Sequence, residues 1–225
     1  MASPDGTKDC SIRFDLKIIA STIKPGSRVL DLGCGHGDLL TWLVANKNVI
    51  GTGIEQDKEK AAHCIGKGLS VLQGDLNQEV DDYPDASFDY VILSQTLQQV
   101  FEPARLLYSL ARIGKQVIVS FPNFSHYAIR LQLMLKGMAP KSEQLPYSWY
   151  DSPNIRVITL KDFRKFSRDV GYTIIKEFAV KTNATGNDGS LVRCCKDLRA
   201  TYGIYIIEKN SSITPQDNRD NGSTN

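Results

Sequence analysis

The chain has 225 residues, 41% hydrophobic and 23% charged, with 27 basic against 25 acidic side chains and a net charge of +2. That composition excludes a chain disordered throughout and fits one globular domain. The balanced charge offers no footprint for nucleic acid or an anionic membrane, and no apolar run approaches the length of a transmembrane helix.

In chain order, residues 1–10 are polar and lack the apolar core of a signal peptide. They read as a flexible N-terminus, and the chain as cytoplasmic. Ile12, Leu16, Ile19 and Ile23 then repeat at helical spacing. Short runs rich in β-branched residues follow at 27–32, 48–54, 69–73, 88–93 and 116–121, with helical segments between them. This strand–helix rhythm predicts a parallel sheet buried under helices on both faces. Leu106, Leu107, Leu110 and Ile113 form one helix face, with Pro103 in its first turn and Gly114 as its stop. Thr159 and Asp162 resemble a capping box, opening a helix whose face is Phe163, Phe166 and Val170.

Two later apolar runs, 172–180 and 202–207, have no long helical pattern between them, and 182–190 reads as a loop. They are predicted to pair antiparallel at the end of the sheet. Residues 210–225 are polar and read as a disordered tail. The stretch 122–158 breaks the rhythm with Pro122, Pro140, Pro146 and Pro153 and the aromatics Phe124, Tyr127, Tyr147, Trp149 and Tyr150. It reads as a loop-rich insertion after strand five, with one helix over 126–136. Such an insertion lies at the carboxyl rim of the sheet, where α/β folds bind ligands. The domain spans 11–209.

Cysteines 10, 34, 64, 194 and 195 are odd in number and form no CxxC. They read as reduced thiols, and no residue set suggests a metal. Cys194 and Cys195 are adjacent and could form a vicinal disulfide, with no second ligand cluster to support a metal.

The strongest motif is the run Asp31-Leu32-Gly33-Cys34-Gly35-His36-Gly37, between a strand and a helix that starts with Asp38. Its glycines allow a sharp turn and close approach of a ligand to bare backbone. A dinucleotide fingerprint wants glycine where Asp38 stands, and a phosphate loop wants a Lys that is missing. Asp31 adds a fixed negative charge, so the expected ligand is cationic and poor in phosphate. Glu55 ends strand two, 22 residues after Gly33, where a carboxylate can accept from a ribose diol. Asp75 follows strand three and could accept from an exocyclic amine, with Leu76 against a purine. Ser94, Gln95 and Thr96 end strand four. The competing explanation for Glu55 and Asp75 is helix capping. Four strand ends carrying polar groups at one rim favour a nucleoside site.

These residues resemble the class I S-adenosylmethionine-dependent methyltransferases, a Rossmann-like α/β fold of seven strands whose last pair is antiparallel. Beyond the glycine loop, the strings SQTLQ at 94–98, SFPNF at 120–124, LPYSWYDSPNI at 145–155 and LKDF at 160–163 resemble the MetW family, named for methionine biosynthesis, over roughly 11–209. The resemblance implies S-adenosylmethionine as cofactor, held by Asp31, Gly33, Cys34, Gly35, Gly37, Glu55, Gln56, Asp75, Leu76, Ser94 and Gln95. It also implies a role in homoserine acetylation beside a MetX-type homoserine O-acyltransferase. His36 departs from the acid expected there, and Asp38 from Glu. No basic residue follows strand four, so His126 is the candidate for a base near the methyl group. Arg13 and Arg130 are candidates for meeting a carboxylate. Two functions follow: a small-molecule methyltransferase, or a non-enzymatic accessory subunit of the acyltransferase.

Overall fold

The computed structural model describes residues 12–210. The expectations for 1–10 and for the tail fall outside those residues, apart from Asn210, whose N–H donates to the Gly171 carbonyl at 3.0 Å.

Helix α1 (Phe14–Thr22) leads into β1 (Arg28–Leu32), α2 (Asp38–Lys47), β2 (Ile50–Glu55), α3 (Lys58–Gly66) and β3 (Ser70–Gln73). The short α4 (Leu76–Glu79), β4 (Phe88–Ser94), α5 (Pro103–Ile113) and β5 (Gly114–Pro122) complete the parallel part. After α6 (Tyr127–Lys136) and α7 (Leu160–Asp169) come β6 (Tyr172–Thr182), β7 (Gly189–Leu191), α8 (Lys196–Arg199) and β8 (Tyr202–Lys209). The strand order is β3-β2-β1-β4-β5-β8-β6-β7. Strands β1 to β5 are parallel, and β8 inserts antiparallel between β5 and β6. The order reverses between β1 and β4, which opens a crevice at their carboxyl ends.

Among the described residues the sheet has eight strands, one more than the sequence predicts. The extra β7 pairs with Val180–Thr182 inside the segment read as a loop. Three residues are too few to show an alternating pattern. Gly189 fits there because a Cβ would stand 2.6 Å from the Phe14 ring and 2.7 Å from the Lys181 carbonyl.

Side chains alternate across the sheet as the pleat requires. Leu30 and Leu32 join the face packed by Leu106, Leu107 and Leu110 of α5 and by Phe163 of α7. Val29 joins the opposite face with Leu16 and Ile19 of α1 and Leu39 and Leu43 of α2. Each buried leucine of α5 contributes about 1.5–3 kcal/mol. Pro103 occupies the first turn of α5, as its missing N–H allows. Gly114 ends α5 in an extended conformation and starts β5 directly. The glycine is required by packing, since a Cβ would meet Val91 Cγ2 at 2.5 Å. Thr159 caps α7 by accepting the Asp162 N–H at 3.1 Å and donating its hydroxyl to the Asp162 carboxylate at 2.7 Å. Among the described residues no helix is long and apolar enough to cross a membrane.

Candidate functional site

The glycine loop joins β1 to α2 at the crevice. Gly33, Gly35 and Gly37 all have positive φ, at 73°, 58° and 76°. They are not equivalent. A Cβ on Gly33 would stand 2.6 Å from Thr96 Oγ1, and one on Gly37 2.5 Å from Leu69 Cδ1. A Cβ on Gly35 would meet nothing within 4 Å. The first and third glycines therefore serve packing, while the middle one has open space where a Cβ would stand and spends its N–H on Glu55 and its carbonyl on Cys64 Sγ at 3.2 Å.

The loop is stitched to β2. The N–H groups of Gly33 and Cys34 donate to the Ile54 carbonyl at 2.8 and 3.2 Å. Glu55, buried at the end of β2, accepts the Gly35 N–H on Oε2 at 2.7 Å and the Asp57 N–H on Oε1 at 2.9 Å. Capping of α3 falls to Asp57, not Glu55. Asp75 is a cap: its Oδ1 accepts from the Asn77 N–H and side-chain amide, both at 2.9 Å. Leu76 is half-buried and packs on the core beneath. Gln56 is exposed, and its carbonyl accepts from Gln73 Nε2 at 3.3 Å.

Asp31 is 3% exposed on the face shared with Val29, and its carboxylate makes no hydrogen bond among the described residues. Burial, with the Glu55 charge second, pushes its pKa up to about 7. The fixed negative charge expected from the sequence is therefore corrected. Near neutrality this carboxyl is poised between its two forms, because desolvation penalises the ionised one. Cys34 turns its thiol into a cluster with Leu40 and Cys64. Gly53 leaves it room, since a Cβ there would lie 2.7 Å from its sulfur. Burial holds the Cys34 thiol well above the usual range, so this residue offers the crevice its backbone only.

The residues that end strand four are held by neighbouring side chains. Ser94 Oγ lies 3.0 Å from Ser120 Oγ. Gln95, at φ 54°, donates from Nε2 to Asp15 Oδ2 at 2.9 Å. Asp15 is 1% exposed and also accepts from Arg13 Nε at 3.1 Å and Nη2 at 2.8 Å. Arg13 is thus engaged by its own helix, and Arg130 donates from Nε to the Ser125 carbonyl at 2.7 Å. The Nη groups of Arg130 make no hydrogen bond among the described residues, while Arg13 spends Nε and Nη2 on Asp15. Beside Gln95 opens a polar cavity of about 340 Å³, lined by Arg13, Gln95, Gln98, Asn154, Asn183 and Tyr202 among others.

His126 is the N-cap of α6, and its Nδ1 accepts the Ala128 N–H at 3.3 Å. An accepting Nδ1 puts the proton on Nε2. That Nε2 is buried without a partner. Burial, and then Lys181, lower its pKa. This geometry gives His126 the role of a helix cap. Asp38 is exposed beside Lys67 Nζ at 3.6 Å and does not fill the crevice.

The structure thus gathers Asp31, Gly35 and Glu55 around one point, with Gln56 and Asp75 further along the rim. Two contacts escape a sequence reading. Thr96 covers Gly33 and donates to the Leu32 carbonyl at 3.2 Å. Asp15 anchors Gln95, yet a lone acid inside an apolar helical pattern carries no period of its own. Among the described residues no cluster of potential metal ligands exists.

Comparison with known proteins adds four findings. The model of the family described as methionine biosynthesis protein MetW matches residues 13–207. A bifunctional methionine biosynthesis protein MetXA/MetW from Rhodopirellula baltica is 33% identical over 183 residues, covering 77% of this chain and 29% of that protein. A ubiquinone biosynthesis O-methyltransferase from Aeromonas salmonicida is 30% identical over 129 residues, 52% of this chain and 53% of that one. The chain therefore spans under a third of the first relative and about half of the second. Among solved structures, a SAM-dependent methyltransferase from Thermotoga maritima superposes with a TM-score of 0.63 at 19% identity, covering 87% of each chain. That likeness establishes the Rossmann-like class I methyltransferase fold.

Proposed function

The chain belongs to the MetW family, and on that premise we propose that it is an S-adenosylmethionine-binding protein of methionine biosynthesis that directs a methyl group to a small acceptor. One observation carries the reading: Gly35 leaves open space where a Cβ would stand, next to the Glu55 carboxylate that holds its N–H, in a loop that follows the unpartnered, buried Asp31.

The residues present fit the cofactor. A carboxylate offers about four lone-pair sites, and Glu55 uses two on backbone N–H groups, leaving capacity for a ribose diol. Asp75 keeps Oδ2 free of the capping bonds, so it can accept from an adenine amine. Asp31 lacks a counter-charge, and a cationic ligand nearby would favour its ionised form. The cofactor, when bound, supplies an activated methyl group. The chain's part is to hold and orient. Alignment alone can lower a barrier by about 7–11 kcal/mol. With His126 engaged as a cap, the acceptor this reading favours is one that needs no proton removed by that side chain.

A second reading is favoured by the relative that carries MetXA and MetW in one chain. Here the protein is an accessory subunit of a MetX-type homoserine O-acyltransferase. Exposed Trp149 and Tyr150, and Leu131, Met134 and Leu135 on α6, are side chains of the kind that anchor interfaces.

The test is a two-part assay on the purified chain. Titration with S-adenosylmethionine should saturate at one site, with NAD as the control. Binding of NAD in its place would overturn the first reading. Homoserine acyl transfer should rise when the chain is added to its co-purified acyltransferase. Identical rates with and without it would overturn the second.

A further inference from the structure

We infer that Cys194 and Cys195 form a vicinal dithiol that a small-molecule disulfide of the glutathione type closes reversibly, a modification site outside the glycine-loop crevice. The two sulfurs lie 3.6 Å apart, and both residues are exposed. Cys34 and Cys64, by contrast, are buried. Among the described cysteines, oxidant in solution therefore meets the adjacent pair first.

Cys195 sits at φ 51°, in the left-handed region that favours glycine. Its carbonyl accepts the Leu198 and Arg199 N–H groups at 3.0 and 3.1 Å, which starts α8. The next residues tie this turn to the rim of the sheet. The Asp197 carbonyl accepts from Asn123 Nδ2 at 2.9 Å and Ser125 Oγ at 2.8 Å, and both donors lie just past β5. The Ala200 carbonyl accepts a second bond from Asn123 Nδ2 at 2.9 Å. A change at the dithiol is therefore passed to the carboxyl edge where the insertion begins.

The chemistry balances. The thiolate of one cysteine attacks a sulfur of the small disulfide, and one small thiol leaves carrying a proton. The thiolate of the second cysteine then displaces the other small thiol. Two protein thiols and one disulfide become one protein disulfide and two small thiols. Adjacent Cα atoms are held at about 3.8 Å across a trans peptide, below the ~4.4–6.8 Å that disulfides prefer. The product is strained, and strained exposed disulfides are the easily reduced, regulatory kind. The site is therefore a switch rather than a staple.

The experiment treats the full chain with oxidised glutathione and reads intact mass, peptide mapping and hydrogen exchange. Wild type should lose two hydrogens from the peptide that carries Cys194 and Cys195, retain no glutathione on either, and recover fully with excess reduced glutathione. Cys194→Ser and Cys195→Ser should each instead retain one glutathione on the remaining thiol. Exchange should change at 192–201 and at 123–125. A glutathione adduct that persists on Cys194 or Cys195 of wild type, or a bridge from either to any other cysteine or to a second chain, would overturn the assignment. Unchanged exchange at 123–125 would overturn the coupling to the rim.

Discussion

The Glu55 carboxylate accepts the Gly35 N–H at 2.7 Å, so the acid at the end of β2 sets the position of the most open glycine in the β1–α2 loop. The same carboxylate accepts the Asp57 N–H at 2.9 Å and so fixes the entry to α3. Glu55→Ala removes both bonds and leaves two N–H donors without partners. A hydrogen bond to a charged group is worth about 1.5–3 kcal/mol, so the variant should lose at least that much stability. It should also bind S-adenosylmethionine about 10-fold to 150-fold more weakly, the same energy read as affinity. Urea unfolding and calorimetry measure the two effects. Unchanged affinity would remove Glu55 from the ribose contact.

Asp31 gives a pH signature. Its folded-state pKa of about 7 lies above the ordinary value of 3.8, because burial penalises the anion. The folded chain then holds this proton more firmly than the unfolded one. Its contribution to stability is full below about pH 4 and is lost as pH rises through about 7. Asp31→Asn should flatten that decline and stabilise the ligand-free protein at pH 8, by up to about 4 kcal/mol. Urea titrations at pH 5 and pH 8 give the comparison. An unaltered decline in the variant would contradict the assignment.

The glycines separate packing from binding. Both Gly33→Ala and Gly35→Ala force a side chain into the left-handed region, at about 1–2 kcal/mol each. Gly33→Ala also drives its Cβ against Thr96 Oγ1, adding an overpacking cost of about 1–3 kcal/mol. Thr96→Ala in the same chain should recover part of that loss. Gly35→Ala should be the milder change in stability and the larger change in cofactor affinity. Equal effects of the two variants on both quantities would show that the crevice does not lie over Gly35.

His126 acts as a cap, so a good capping residue should replace it. His126→Asn should keep α6 folded and leave the pH profile of any methyl transfer unmoved. A loss of about 10²–10⁴-fold, with a shifted profile, is the signature of a general base and would reinstate it as one.

The parallel strands and their helices were legible because burial on both faces and the i, i+4 spacing of Leu106 and Leu110 leave a pattern that propensity alone does not. The left-handed glycines were legible for the same reason, since few residues tolerate those angles. What could not be read was pairing at a distance. Thr96 over Gly33 joins residues from separate strands. Asp15 with Gln95 joins the first helix to the end of β4. The state of Asp31 depends on a burial that the sequence places only by strand alternation. The edge strand β7 hid because its three residues pair through backbone, with exposed side chains. The role of His126 turned on one ring nitrogen and the Ala128 N–H, a geometry no spacing rule encodes.

The most direct test of the central claim is an amide chemical-shift titration of the full chain with S-adenosylmethionine. Saturable shifts concentrated at Gly33 to Gly37, at Glu55 and Gln56, and at Asp75 and Leu76 are the predicted result. Shifts confined to other segments, or none at saturating cofactor, would contradict it.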